Sequence, residues 1–197
     1  QDIKQDISEN LASSISKKLE THKNKNLYRK RIVCEDNLID FSSNDYLGLS
    51  SHTKILSCLK SDDINSYGAK ASSYISGYSK HHKECEDFFA QTFGFDGALL
   101  FGSGFAANIG VIKALADKNT LVFQDKLNHA SLIDGALASD GKLIRYKHLD
   151  LQDLENKILK NKAKYQTQSG IIATDIVFSM DGDIANINEI IKIAEIN

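Results

Sequence analysis

Gly102-Ser103-Gly104-Phe105-Ala106-Ala107 is the stretch of this chain best suited to holding a charged ligand. The run before it, Ala98-Leu99-Leu100-Phe101, is apolar and reads as a buried strand. The run after it, Asn108 to Leu115, reads as a helix. A strand, a glycine turn and a helix start together make an anion site, because free backbone N–H groups and the positive end of the helix dipole face the loop. A phosphate-bearing ligand fits that chemistry. The same glycines allow a second reading. Gly102-x-Gly104-x-x-Ala107 matches the dinucleotide fingerprint, and Asp125 stands at the end of the next strand, where a ribose-binding acid belongs. From this stretch alone a nicotinamide enzyme, another phosphate ligand and a helix start that binds nothing all remain open.

The surrounding pattern is that of an α/β protein. Thr120–Gln124, Lys142–Tyr146 and Gly170–Asp175 read as strands that follow Ala98–Phe101. Helices are expected over Ser131–Ser139, Leu151–Leu159 and Ile187–Ile196. Such alternation predicts a mostly parallel sheet with helices on both faces. Ligands in such sheets sit beyond the carboxyl ends of the strands. The loops at those ends carry Asp125 to His129, His148-Leu149-Asp150 and Phe178 to Asp183. Upstream, Ile7, Leu11, Ile15 and Leu19 recur every four residues and predict an amphipathic helix. A small hairpin is expected around Glu35-Asp36-Asn37, a short helix near Ile55 to Leu59, a loop over 66–79 and a helix over His82–Phe93. We place residues 1–45 in an N-terminal helix-and-hairpin segment and 46–197 in the first part of a larger ligand-binding domain.

Composition narrows the function classes. The chain has 197 residues and a net charge of −2, with no block of like charges, which argues against nucleic-acid or membrane-surface binding. No apolar run reaches the roughly 18 residues of a membrane span. Cys34, Cys58 and Cys85 are scattered, show no metal-ligand spacing and fit a reducing, cytoplasmic setting. No metal site is expected. His22, His52, His81 and His148 show no pairing that suggests metal or nucleophile work.

Four further segments resolve the open question: Phe41 to Leu49, Ser76 to His82, His129-Ala130-Ser131-Leu132-Ile133-Asp134-Gly135, and Phe178-Ser179-Met180-Asp181-Gly182-Asp183. With Leu100 to Asn108, they resemble the α-oxoamine synthases, enzymes dependent on pyridoxal 5'-phosphate (PLP) with the aspartate-aminotransferase fold. The resemblance runs from about Leu11 to the last residue. It implies the large domain of PLP fold type I, a homodimer, and C-acyl transfer to an amino acid with decarboxylation. Ser42-Ser43-Asn44-Asp45-Tyr46 favours the members that condense L-alanine with pimeloyl-CoA or a pimeloyl carrier protein. Leu127-Asn128-His129 suits the 2-amino-3-ketobutyrate CoA ligase branch equally well.

The resemblance also implies roles. Gly104 and Phe105 fall where the family binds the PLP phosphate through backbone amides, in agreement with the anion site. His129 falls where an imidazole stacks on the pyridine ring and meets the substrate carboxylate, which makes it the catalytic candidate. Ser179 falls where a hydroxyl reaches the cofactor's phenolic oxygen. Arg29, with Arg31 as its neighbour and alternative, and Asn44 fall at positions that hold the amino-acid carboxylate; a guanidinium pairs with carboxylates in a bidentate way. His82 reads as a helix-start residue, and Asp181 and Asp183 as turn formers.

Gly68 to Tyr74 carries fewer glycines than the family's loop, and Asp175 stands where glutamate is usual. The family's Schiff-base lysine and its Asp-x-x-His segment are expected downstream of Asn197, so this chain by itself is expected to be inactive.

Overall fold

A computed structural model describes residues 2–31, 33, 39–59, 68–165 and 169–197. The chain divides into two units, 1–67 and 68–197.

In the first unit, α1 spans Asp2–Asn24. Polar caps organise residues 40–51 locally. Asp40 accepts hydrogen bonds from the Ser42 amide and hydroxyl. Asp45 accepts from the Leu49 and Ser50 amides and the Ser50 hydroxyl, which closes a short 3₁₀ turn at Leu49–Ser51. Each carboxylate is held below the usual range by these donors, with the serine hydroxyl the largest cause. Helix α2 is Thr53–Leu59. The hairpin expected around 35–37 lies outside the described residues.

The second unit contains the sheet. Strands β1 (Leu121–Asp125), β2 (Lys142–Tyr146) and β3 (Gly170–Ala173) are parallel, in the order β2-β1-β3. Helices α4 (Gly104–Leu115), α5 (Ala130–Ala138), α6 (Leu151–Tyr165) and α7 (Ile187–Ile196) make the connections and the closing element. Ahead of them lie a π-helical turn at Ser73–Gly77, within the expected loop, and α3 (Lys80–Phe93).

The period-2 alternation of β1 sorts the core. Val122 pairs with Leu143 and Ile171 and faces Ile112 of α4 and Leu132 and Ala136 of α5. Leu121 and Phe123 face the other way, onto Leu154 and Ile158 of α6 and Ile190 of α7. The helices thus cover both faces, and a buried side chain such as Phe123 contributes roughly 1.5–3 kcal/mol on that account.

One expected strand is absent. Ala98–Phe101 is irregular, and Leu99 is 79% exposed. The Leu100 amide donates to Glu86 Oε1 at 2.8 Å, where a strand would have donated to a neighbouring backbone. The Glu86 carboxylate also accepts from the Tyr78 hydroxyl at 2.6 Å. That bond pushes the Tyr78 pKa up to about 12. A lone apolar run has the propensity for a strand, yet the ladder needs a partner. Among the described residues this run finds none.

Candidate functional site

Helix α4 starts at Gly104 because Ser103 caps it: the Ser103 Oγ accepts the Ala106 N–H at 3.1 Å. The first N–H groups of a helix have no intrahelical acceptor. With Ala106 taken by the cap, Gly104 and Phe105 hold the donors that face the turn. Neither Gly102 nor Gly104 has a left-handed backbone, and a Cβ built on either meets nothing within 4 Å. The turn itself therefore does not demand glycine. Open space beside the Gly104 Cα lets a group approach this turn closely, so the residues fit a phosphate-bearing cofactor.

His129 sits at the N-cap of α5, just beyond the carboxyl end of β1. Its ring meets the Phe105 ring edge-on, with centroids 6.1 Å apart. A chain of hydrogen bonds sets its orientation. Asn108 Nδ2 on α4 donates to Ser131 Oγ at 2.9 Å. Ser131 Oγ lies 2.7 Å from His129 Nδ1, and the Ser131 amide donates to the same nitrogen at 3.2 Å. Nδ1 accepts that amide, so in the neutral ring the proton lies on Nε2, pointing away from the cap. The His129 amide donates to Asp175 Oδ2 at 2.6 Å. Asn128 completes the joint, donating to the Ala173 carbonyl at 2.7 Å and accepting from the Asp175 amide at 3.3 Å. The loops after β1 and β3 are thereby tied side by side.

Gly135 explains why α4 can approach α5 closely enough for this wiring. A Cβ there would meet the Asn108 carbonyl at 3.1 Å, Ile109 Cα at 3.2 Å and Ile112 Cβ at 3.2 Å. A side chain would wedge the helices apart and draw Asn108 away from Ser131.

Ser179 lies on a tight turn past β3. The turn is closed by the Phe178 amide on the Asp183 carbonyl and the Gly182 amide on the Phe178 carbonyl, with Gly182 at φ 77°. Phe178 anchors it, buried in the core shared with α6 and α7. Gly104, Phe105 and His129 therefore come together, and Ser179 stands on the neighbouring strand-end turn. Arg29 and Asn44 belong to the first unit. Arg29 is exposed in the segment after α1, and Asn44 Oδ1 accepts from the Tyr46 hydroxyl at 3.5 Å.

Two readings are amended and one holds. Asp125 does not serve a ribose: it is fully buried and accepts from the Leu127 amide at 2.8 Å, the Leu149 amide at 2.8 Å and His148 Nδ1 at 2.9 Å. Its oxygens are spent inside the fold, which removes the acid the nicotinamide reading needs. His148 is not unpaired, since Asp125 and Asp183 flank its two ring nitrogens. His82 is the helix-start residue expected, with Ser79 and His82 capping α3 reciprocally. Asn108, Ser131 and Asp175 hold His129, and sequence reasoning assigned them no role. The Asn108–Ser131 and His129–Asp175 bonds span 23 and 46 residues, so no local spacing points to them.

The family model for aminotransferase class I and II matches residues 36–197, and the chain belongs to that family. It is 44% identical over 156 residues to 8-amino-7-oxononanoate synthase of Marinomonas sp., covering 78% of this chain and 37% of that protein. Among solved structures it is similar to 8-amino-7-oxononanoate synthase from Francisella tularensis, with TM-score 0.64, 33% identity, and coverage of 81% of this chain and 43% of that one. It is also similar to a serine palmitoyltransferase variant from S. paucimobilis that carries PLP and myriocin, with TM-score 0.68, 27% identity, and coverage of 76% and 37%. The chain spans about half the length, or less, of the curated relatives it matches. No helix among the described residues is long and apolar enough to cross a membrane.

Proposed function

We propose that this chain is part of an 8-amino-7-oxononanoate synthase, which condenses L-alanine with a pimeloyl thioester, releases CO2 and uses PLP. The observation that carries the reading is the meeting of the α4 N-terminus with the His129 ring, held by the Asn108–Ser131–His129 chain. PLP, when bound, supplies an electron sink for negative charge at the substrate's α-carbon. The amides of Gly104 and Phe105 bind its phosphate, which the helix dipole favours. His129 stacks on its ring and offers Nε2–H toward the substrate carboxylate. Ser179 donates to the phenolic oxygen. Arg29 and Asn44 hold the carboxylate of the amino acid. Relatives of the same name and a PLP-bearing neighbour of the same fold support the assignment. In keeping with the family, the enzyme works as a homodimer in the cytoplasm, and its acyl donor is pimeloyl-CoA or a pimeloyl carrier protein.

The test uses the full-length protein with PLP and L-alanine, offered pimeloyl-CoA or a pimeloyl carrier protein, with mass spectrometry of the amino-ketone product. Product from the pimeloyl donor establishes the reading. Turnover only with glycine and acetyl-CoA would instead place the enzyme in the 2-amino-3-ketobutyrate CoA ligase branch. His129→Ala should lower kcat/KM by about 100-fold or more if the imidazole acts as described.

A further inference from the structure

His148 stands outside the group just described, and its surroundings are unusual. Its Nδ1 is 2.9 Å from Asp125 Oδ1, and its Nε2 is 3.1 Å from Asp183 Oδ2. Its ring packs edge-on against Phe178, with centroids 4.6 Å apart. Phe178 and Asp183 are the two ends of the turn that carries Ser179. We propose that His148 positions the Ser179 turn, by a bridge from the buried end of β1 to Asp183 that closes only while both ring nitrogens carry protons.

The chemistry follows from the partners. A carboxylate only accepts, so a ring flanked by two carboxylates satisfies both only as imidazolium, with two N–H donors. Asp125 is rigid: it is buried, and two backbone amides fix it. Leu149 takes φ 54° beside it, a left-handed conformation that a leucine rarely adopts, and this brings its amide onto Asp125. The exposed end is Asp183, whose side chain is 44% exposed. The bridge thus joins a buried anchor to a partly exposed carboxylate on the turn.

The other carboxylates nearby are committed elsewhere. On the loop that holds His148, the Lys147 amide is bound to Asp153, and Asp150 caps the Asp153 amide. From α6, Asp153 pairs with Lys157 at 2.9 Å. Asp125 from β1 and Asp183 from the turn are the charged groups that face the imidazole. Asp125 first, and then Asp183, raise the His148 pKa above its ordinary value. A raised histidine pKa has one sign: the bridge is complete below pH about 6.5 and is lost as pH rises through the folded-state value. Among the described residues no cluster of His, Cys, Asp or Glu is placed to hold a metal, so the three groups are read as a proton-dependent latch.

The consequence for catalysis rests on the proposed role of Ser179, and the experiment keeps the two apart. The variant is Asp183→Asn in the full-length protein. It removes the charge of the exposed arm and leaves the Asp125 pair that a His148 substitution would orphan. The His148 ring is followed by NMR titration, and the amides of Phe178, Gly182 and Ala185 by hydrogen exchange corrected for its intrinsic pH dependence. The latch predicts that Asp183→Asn lowers the His148 titration midpoint and speeds exchange of those amides about fivefold or more at pH 6. It also predicts that the wild-type amides gain the same speed above the midpoint. Unchanged exchange in Asp183→Asn across the pH range would overturn the proposal. A second readout is the pH profile of absorbance of bound PLP in a cycle of Asp183→Asn with Ser179→Ala. Asp183→Asn should shift the profile in wild type and add nothing in Ser179→Ala. Additive shifts would refute action through Ser179. Should PLP not bind at all, the functional reading fails, while titration and exchange still decide the latch.

Discussion

Residues 98–101 and 121–125 are two apolar runs of the second unit with opposite fates. Leu121 to Asp125 becomes the central strand, with every residue buried and Leu121 to Gln124 paired on both sides. Ala98 to Phe101 carries a similar local preference and forms no strand, and Leu99 projects into solvent. Its Leu100 amide goes to a glutamate. The difference shows that apolar residues make a segment ready to pair, while neighbouring backbones decide whether it does. It also shows where the candidate site takes its rigidity. His129 and Asp125 extend directly from the buried strand, whereas the Gly102–Gly104 turn follows the loose run and is fixed by α4 and its cap.

Substitutions can break or sharpen that contrast. The largest effect is expected in the central strand. Phe123→Ala leaves a cavity under α6 and should cost about 3–5 kcal/mol, read from urea unfolding. Next comes the helix contact that joins the two regions. Gly135→Ala forces the Asn108 backbone away from α5 and should cost about 1–3 kcal/mol. It should also weaken PLP binding, measured by fluorescence titration, because Gly104 and His129 move apart. An affinity as in wild type would show that the two need no fixed spacing. Ser103→Ala removes the cap that follows the loose run and should cost about 1 kcal/mol of stability. The smallest effect belongs to the loose run itself. Leu99→Ala should change stability by no more than about 0.5 kcal/mol. A cost near that of Phe123→Ala would mean that 98–101 packs as a strand in solution, and the contrast would fall.

Much of the site could be read in the sequence where the signal is local. The Gly102 to Ala107 turn, its cap and the helix behind it lie within about fourteen residues, so spacing alone predicts an anion site. His129 needed the surrounding Ala130 to Gly135 motif to stand out among six histidines. His148 had no such context. The partners that give it meaning are 23 and 35 residues away, on a strand and a turn that meet only in the folded sheet. Asp125 misled for the same reason: its place at a strand end suits a ribose, and only burial against Leu127, Leu149 and His148 shows that its oxygens are already occupied.

The sequence by itself determined the alternation of helices and strands from α4 onward and the parallel character of the sheet, because periodicity and glycine placement act over a few residues. The tertiary structure alone decided which apolar run became a strand, that Asn108 and Ser131 would aim His129, and that an imidazole would bridge Asp125 to the Ser179 turn. Those outcomes depend on hydrogen bonds between groups far apart in the chain, and their geometry exists only once the helices have packed on the sheet.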